Sequence, residues 1–175
     1  VNNKCALLLG PEFAMLRREF REHRSRLRKR NGRIERVLVS FGGSDQENHT
    51  QIAIEGILEW GKRGIQVDVV VGAQYPFVNP LRAWCVRHPE FKLHVQTRQM
   101  AELIAVADVA IGAGGSSTWE RCCLGLPSLV AASAANQAAV IESAAAAGAI
   151  LNLGNASSLT SQHYVNALEC LNPKL

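Results

Sequence analysis

What most constrains this chain is a strict alternation. Short, near-continuously apolar runs ("RVLVSFGG", "IQVDVVVG", "FKLHVQ", "DVAIGA", "SLVAA" and "AILNLG") are each followed by a segment with helical spacing. Runs of this length and β-branched content read as strands buried on both faces. Between them, "ENHTQIAIEGILEWGKRG" sets Ile52, Ile54, Ile57 and Leu58 at helical spacing, and "NPLRAWCVRHP" carries Pro80 in a first turn and Pro89 beyond its end. "RQMAELIAVA", "SSTWERCCLG", "NQAAVIESAAAAG" and "SSLTSQHYVNALECL" complete the set of helices. Strands alternating with helices predict an α/β fold: a doubly wound, parallel-sheet (Rossmann-like) domain over residues 33–175. Ligands of such sheets bind outside the carboxyl ends of the strands, near the point where strand order reverses.

With 175 residues and a hydrophobic fraction of 47%, the chain can bury one normal core. No apolar run is long enough to span a bilayer, and no signal-peptide pattern appears. The first residue is not Met and the chain stops at "LNPKL" just after a helical pattern, so a piece of a longer protein is expected. The five cysteines are odd in number, include the adjacent pair Cys122 and Cys123, and form no C-x-x-C. Reduced thiols and a cytoplasmic location fit better than a disulfide framework or a zinc site. The net charge of +4 is concentrated in "LRREFREHRSRLRKRNGRIER". There Leu16, Phe20 and Leu27 sit at helical spacing, which predicts an amphipathic helix over residues 17–30. A solvated linker helix docking one apolar stripe is the better reading than a nucleic-acid patch, because no aromatic platform accompanies the charge.

Two strand ends carry glycine-rich turns, "SFGGSDQENHT" and "GAGGSSTWE". Neither is a dinucleotide fingerprint, a P-loop or a serine-hydrolase elbow. In the second turn, Gly114 and Gly115 are expected to take positive φ and let the backbone approach a ligand. Ser116 or Ser117 can cap the next helix, whose first amides favour an anion. Glu120 lies about one turn further on, and an ionised carboxylate accepts hydrogen bonds from a vicinal diol. Diphosphate plus ribose diol describes a nucleoside diphosphate. A tight strand–helix connection with a serine cap and an ordinary first-turn acid accounts for the spacing equally well. No D-x-D pair flanks the turn, so nothing in the sequence calls for a metal or another cofactor.

The run Met100–Val130, "MAELIAVADVAIGAGGSSTWERCCLGLPSLV", resembles the nucleotide-binding half of GT-B-fold UDP-sugar enzymes, among them the bacterial N-acetylglucosamine transferase of lipid II synthesis. A closer likeness, through "LLLGPEFAMLRREFRE", "VLVSFGGSDQENHT" and "ANQAAVIESAAAAGAI", is to the UDP-2,4-diacetamido-2,4,6-trideoxy-β-L-altropyranose hydrolases of pseudaminic acid biosynthesis. The resemblance implies that this is the C-terminal half of a GT-B fold, with residues 1–32 holding the end of a missing N-terminal domain and the basic linker helix. It implies that Gly42, Gly43 and Ser44 face phosphates or sugar, that the Thr97 backbone reads uracil, and that Gly114, Gly115, Ser116 and Ser117 cradle the diphosphate. Glu120 would take the ribose, and Asn136 and Gln137 the sugar. The partners implied are a UDP-sugar and the missing half, with no nucleic acid and no integral membrane segment. The activity implied is release of UDP from a UDP-linked diacetamido-trideoxy sugar, the alternative being a GT-B glycosyltransferase with a UDP-sugar donor. A non-catalytic binding module is the third class. The catalytic base is implied to be a histidine of the missing half, so this chain alone is expected to be inactive. His49, a few residues past Gly43, is the nearest candidate here, and it is expected to lie in the first turns of a helix.

Overall fold

The computed structural model describes residue 6 and residues 10–171. The expected end of the preceding domain, at the start of residues 1–32, falls largely outside the described residues. Six strands form one all-parallel sheet: β1 (Arg36–Ser40), β2 (Gln66–Val71), β3 (Phe91–Val95), β4 (Val109–Ala113), β5 (Ser128–Ala132) and β6 (Leu151–Asn155), in the order β3-β2-β1-β4-β5-β6. The helices are α1 (Arg18–Arg24), α2 (His49–Trp60), α3 (Val78–Val86), α4 (Met100–Val106), α5 (Ser116–Cys123), α6 (Ala138–Ala146) and α7 (Ser161–Leu171). Every strand expected from the sequence is present, and the order is that of a doubly wound nucleotide-binding sheet. The chain steps outward from β1 to β3 and then returns to place β4 on the other side of β1. That return puts the switch point between β1 and β4.

Side chains alternate across the sheet, as the two-residue repeat of a strand requires. Val37 and Val39 of β1 face a core shared with Val67, Val69, Ile111 and Leu129, covered by α2, α3 and α7. Leu38 faces a second core with Val70, Ala110, Leu103, Ile104, Leu124 and Leu126. On the first face α2 and α7 pack closely enough that a Cβ on Gly56 would lie 2.7 Å from both the Ser161 carbonyl oxygen and Tyr164 Cβ.

The basic segment departs from expectation. Its helix covers only Arg18–Arg24, not residues 17–30. The apolar stripe does dock: Phe20 is fully buried in the second core, with Leu16 and Leu27 packed against it. From Arg24 onward the arginines reach the ends of other helices, and α1 is not continued past Ser25. Arg24 donates to the Cys123 carbonyl at 2.7 Å. Arg30 donates to the carbonyls of Ile104, Ala107, Leu124 and Gly125 at 2.9–3.1 Å. Those carbonyls close α4 and α5, where intrahelical donors run out and the macrodipole is negative. Asp108, at the start of β4, accepts from Arg28 at 2.5 Å and from the Glu35 and Arg36 amides at 2.8 Å. Burial would raise its pKa, but those three donors outweigh it and hold the carboxyl below the usual value. This aspartate fastens the linker at the end of the sheet opposite the crevice.

Candidate functional site

Both glycine turns fall at the switch point, one after β1 and one after β4. In the first, Gly42 has φ 95°, and Asp45 and Asn48 also hold positive φ. The turn is pressed against the end of β2, where a Cβ on Gly72 would sit 2.0 Å from the Gly43 carbonyl oxygen. The buried Asp45 carboxylate accepts from the His49 amide at 2.9 Å and the Thr50 amide at 2.8 Å. The positive end of α2 is therefore filled by an acid of the chain itself. His49 opens α2 as expected and is buried beside Phe41 with Nε2 3.4 Å from Glu47.

The second turn is built differently, and two expectations about it need correction. Gly114 and Gly115 do not take positive φ. Gly114 is required by packing instead, since a Cβ there would lie 2.2 Å from Ile141 Cγ1. Gly115 occupies the N-cap position of α5 and a Cβ on it would meet nothing within 4 Å. Neither Ser116 nor Ser117 caps the helix, because they are its first two residues and no side chain caps it. Their amides head the helix without intrahelical acceptors. Ser117 Oγ instead accepts from the Arg121 guanidinium at 3.3 Å, which also reaches the Ala113 carbonyl at 2.9 Å and Thr118 Oγ1 at 3.3 Å.

Glu120 is four-fifths buried and lies 3.6 Å from Arg17, which precedes α1. Burial raises its pKa, against the lowering by Arg17 and Arg121. Gln137 shapes the turn after β5: its Oε1 accepts from the Ser133 amide at 3.0 Å and from the Ser133 hydroxyl at 3.3 Å. Asn136 beside it is exposed. This loop borders a cavity of about 410 Å³ walled by Ser133, Glu142, Asn152, Asn155 and Ser157 at the ends of β5 and β6. Thr97 follows the edge strand β3, and its hydroxyl accepts from the Gln99 amide at 3.1 Å. At about 4.8 Å per strand, three spacings separate it from β4 by roughly 14 Å. The fold thus places Gly42–Ser44, Gly114–Ser117 and Asn136–Gln137 on neighbouring strand ends and leaves Thr97 at the margin.

No protein-family model matches the chain. It is 30% identical over 157 residues to the spore coat polysaccharide biosynthesis protein SpsG of Bacillus subtilis (strain 168), a match covering 88% of this chain and 45% of that protein. It is 29% identical over 133 residues to the uncharacterized protein MJ1062 of Methanocaldococcus jannaschii, covering 73% of this chain and 27% of that one. The chain therefore spans less than half the length of these curated relatives. Among solved structures, MurG of Acinetobacter baumannii superposes with a TM-score of 0.61 at 16% identity, over 87% of this chain and 44% of that one. The spinosyn rhamnosyltransferase SpnG in complex with thymidine diphosphate gives 0.59 at 20% identity, over 83% and 38%. The domain has a GT-B glycosyltransferase-like fold.

In this GT-B-like domain, three contributors to the site lie outside the residues read from the sequence: Asp45, Arg17 and Arg121. Asp45 carried no capping signal, since it lies four residues ahead of His49 and the capping rule looks at the residue just before the helix, here Asn48. Arg121 carried none, because its pattern appears only once burial is known. Thr118, Arg121 and Leu124 are buried and three residues apart, which places the arginine on the inward stripe of α5. Among the described residues no helix is long and apolar enough to cross a membrane, and no group of three metal-ligating side chains converges.

Proposed function

We propose that this domain binds the nucleoside-diphosphate portion of a sugar donor, in a GT-B enzyme that transfers the sugar during polysaccharide assembly. The observation that carries this is the start of α5. It is an uncapped helix N-terminus at the switch point, with Glu120 one turn inward. The thymidine diphosphate named for SpnG and the polysaccharide role named for SpsG support the reading. The glycosyltransferases among the neighbours support sugar transfer over the hydrolysis that the sequence resemblance put first.

In this reading the Ser116 and Ser117 amides neutralise charge on the diphosphate and stabilise it as a leaving group. Glu120 exchanges its contact with Arg17 for the ribose hydroxyls. Asn136, exposed beside the β5 end, meets the sugar, while Gln137 holds its loop through Ser133. Uracil is the base we assign, read at the Thr97 side. Holding the donor leaves the acceptor and the catalytic base to residues outside this domain, in an N-terminal half that the reading requires.

Calorimetric titration of the 175-residue chain with UDP, TDP and ADP tests the binding. We expect micromolar to millimolar affinity for UDP and weaker affinity for ADP, and equal binding of ADP would reject the base assignment. Product analysis of the whole protein with a UDP-sugar, with and without a saccharide acceptor, separates transfer from hydrolysis. UDP release that ignores the acceptor would restore the hydrolase.

A further inference from the structure

Arg121 is 2% exposed, and among the described residues it has no carboxylate within ion-pairing distance. Its Nε is buried without a hydrogen-bond partner. Its remaining contacts are the Ala113 carbonyl and the hydroxyls of Ser117 and Thr118. Ala113 ends β4, and Ser117 and Thr118 lie in the first turn of α5, on either side of the glycine turn. Burial lowers its pKa to about 10, so the group is still a cation at neutral pH. Glu120, its neighbour in sequence, attracts it from beyond ion-pairing distance, and among the described residues no carboxylate touches it directly. A buried charge without a direct partner is costly. Ser117 Oγ accepts from the guanidinium, so its own hydrogen is free to point away from Arg121. Ser117 is half-buried at the helix start, beside the amides that already favour an anion.

We propose that Arg121 is a positioning residue that makes the β4–α5 turn select its ligand by phosphate, supplying the buried counter-charge and turning the Ser117 hydroxyl into an outward donor. This rests on the reading of that turn as a diphosphate site and adds what sets its selectivity. The two helix starts differ accordingly: α2 carries its own acid, whereas α5 carries a buried base that an incoming anion completes.

The test compares three probes: UDP, uridine and inorganic pyrophosphate. Each is titrated against the chain and against Arg121→Gln, Arg121→Lys and Ser117→Ala. We expect the preference for UDP over uridine to fall tenfold or more in Arg121→Gln while uridine affinity holds. Ser117→Ala should lose part of that preference, and Arg121→Lys, which keeps the charge, should recover most of it. A merely structural arginine would weaken UDP and uridine alike, and an unchanged ratio overturns the proposal. Should Arg121→Gln fail to fold, the unaltered chain decides: the Nε–H NMR signal of Arg121 should shift with UDP and pyrophosphate but not with uridine. No shift with either anion overturns the proposal. Pyrophosphate binding that depends on Arg121, without nucleoside discrimination, would sustain this inference while removing the nucleotide reading.

Discussion

The two glycine turns flank the same switch point and look alike in sequence, yet their helices are finished in opposite ways. Asp45 closes α2 with two carboxylate–amide bonds, and the turn before it is pressed against Gly72. The start of α5 has no cap and sits over a buried guanidinium. One helix start is therefore met by an acid of the chain itself, and the other, left without a side-chain cap, is the one we propose for the ligand. A glycine-rich turn before a helix marks a possible anion site, and the charge of the nearest buried side chain decides whether the protein has already filled it.

Substitutions on each side can break or sharpen that contrast. The largest effect is expected for Asp45→Ala, which strands two buried amide donors. Unfolding stability should fall by about 2–3 kcal/mol in denaturant titration. Affinity for UDP should change far less than stability. If affinity collapses while stability holds, the ligand sits on α2 and the contrast is reversed. Glu120→Ala should do the opposite, weakening UDP binding by about 1–3 kcal/mol with little change in stability. Gly114→Ala drives a methyl toward Ile141, and overpacking of this kind costs about 1–3 kcal/mol. Gly115→Ala meets open space, so a stability change within about 0.5 kcal/mol is expected from thermal melts. Equal losses at the two glycines would mean that conformation, not packing, selects them.

A smaller, pH-dependent effect belongs to the opposite end of the sheet. Asp68 is buried with Arg36 at 2.6 Å and His94 at 2.7 Å. Burial alone would raise its pKa, but hydrogen bonds from Arg36 and His94 leave it lowered, as three donors do for Asp108. A depressed folded pKa contributes stability that is present above the ordinary carboxyl value of 3.8 and is lost as pH falls through the folded value. Melting temperature should therefore drop as pH is taken below about 4, and Asp68→Asn should flatten that drop. An unchanged acid limb in Asp68→Asn would show that the pair contributes nothing to acid sensitivity.

The sheet was legible because apolar runs bounded by glycine and proline leave few alternatives, and the strand count and helix order follow from that rhythm. The basic segment was less so. Its spacing correctly placed Phe20 against a core, but the end of α1 is set by where Arg24, Arg28 and Arg30 find carbonyls about 70–100 residues away in sequence. Local periodicity holds no record of such partners. Gly114 shows the same gap: the sequence flags a glycine but not whether φ or a neighbour's methyl demands it. Arg121 reads as an ordinary surface arginine in "TWERCC" until the fold buries it.

The strapping of residues 17–30 has a mechanical consequence. Arg24, Arg28 and Arg30 fix the segment to the ends of α4 and α5, while Arg17 touches Glu120. Chain entering ahead of Arg17 is therefore coupled to the domain at α5, with no slack before β1 to absorb a pull. Tension applied along it is delivered as torque on the helix whose first turn we assign to the diphosphate. Gly10, where φ is 104°, and Pro11 open the short turn that leads into this segment.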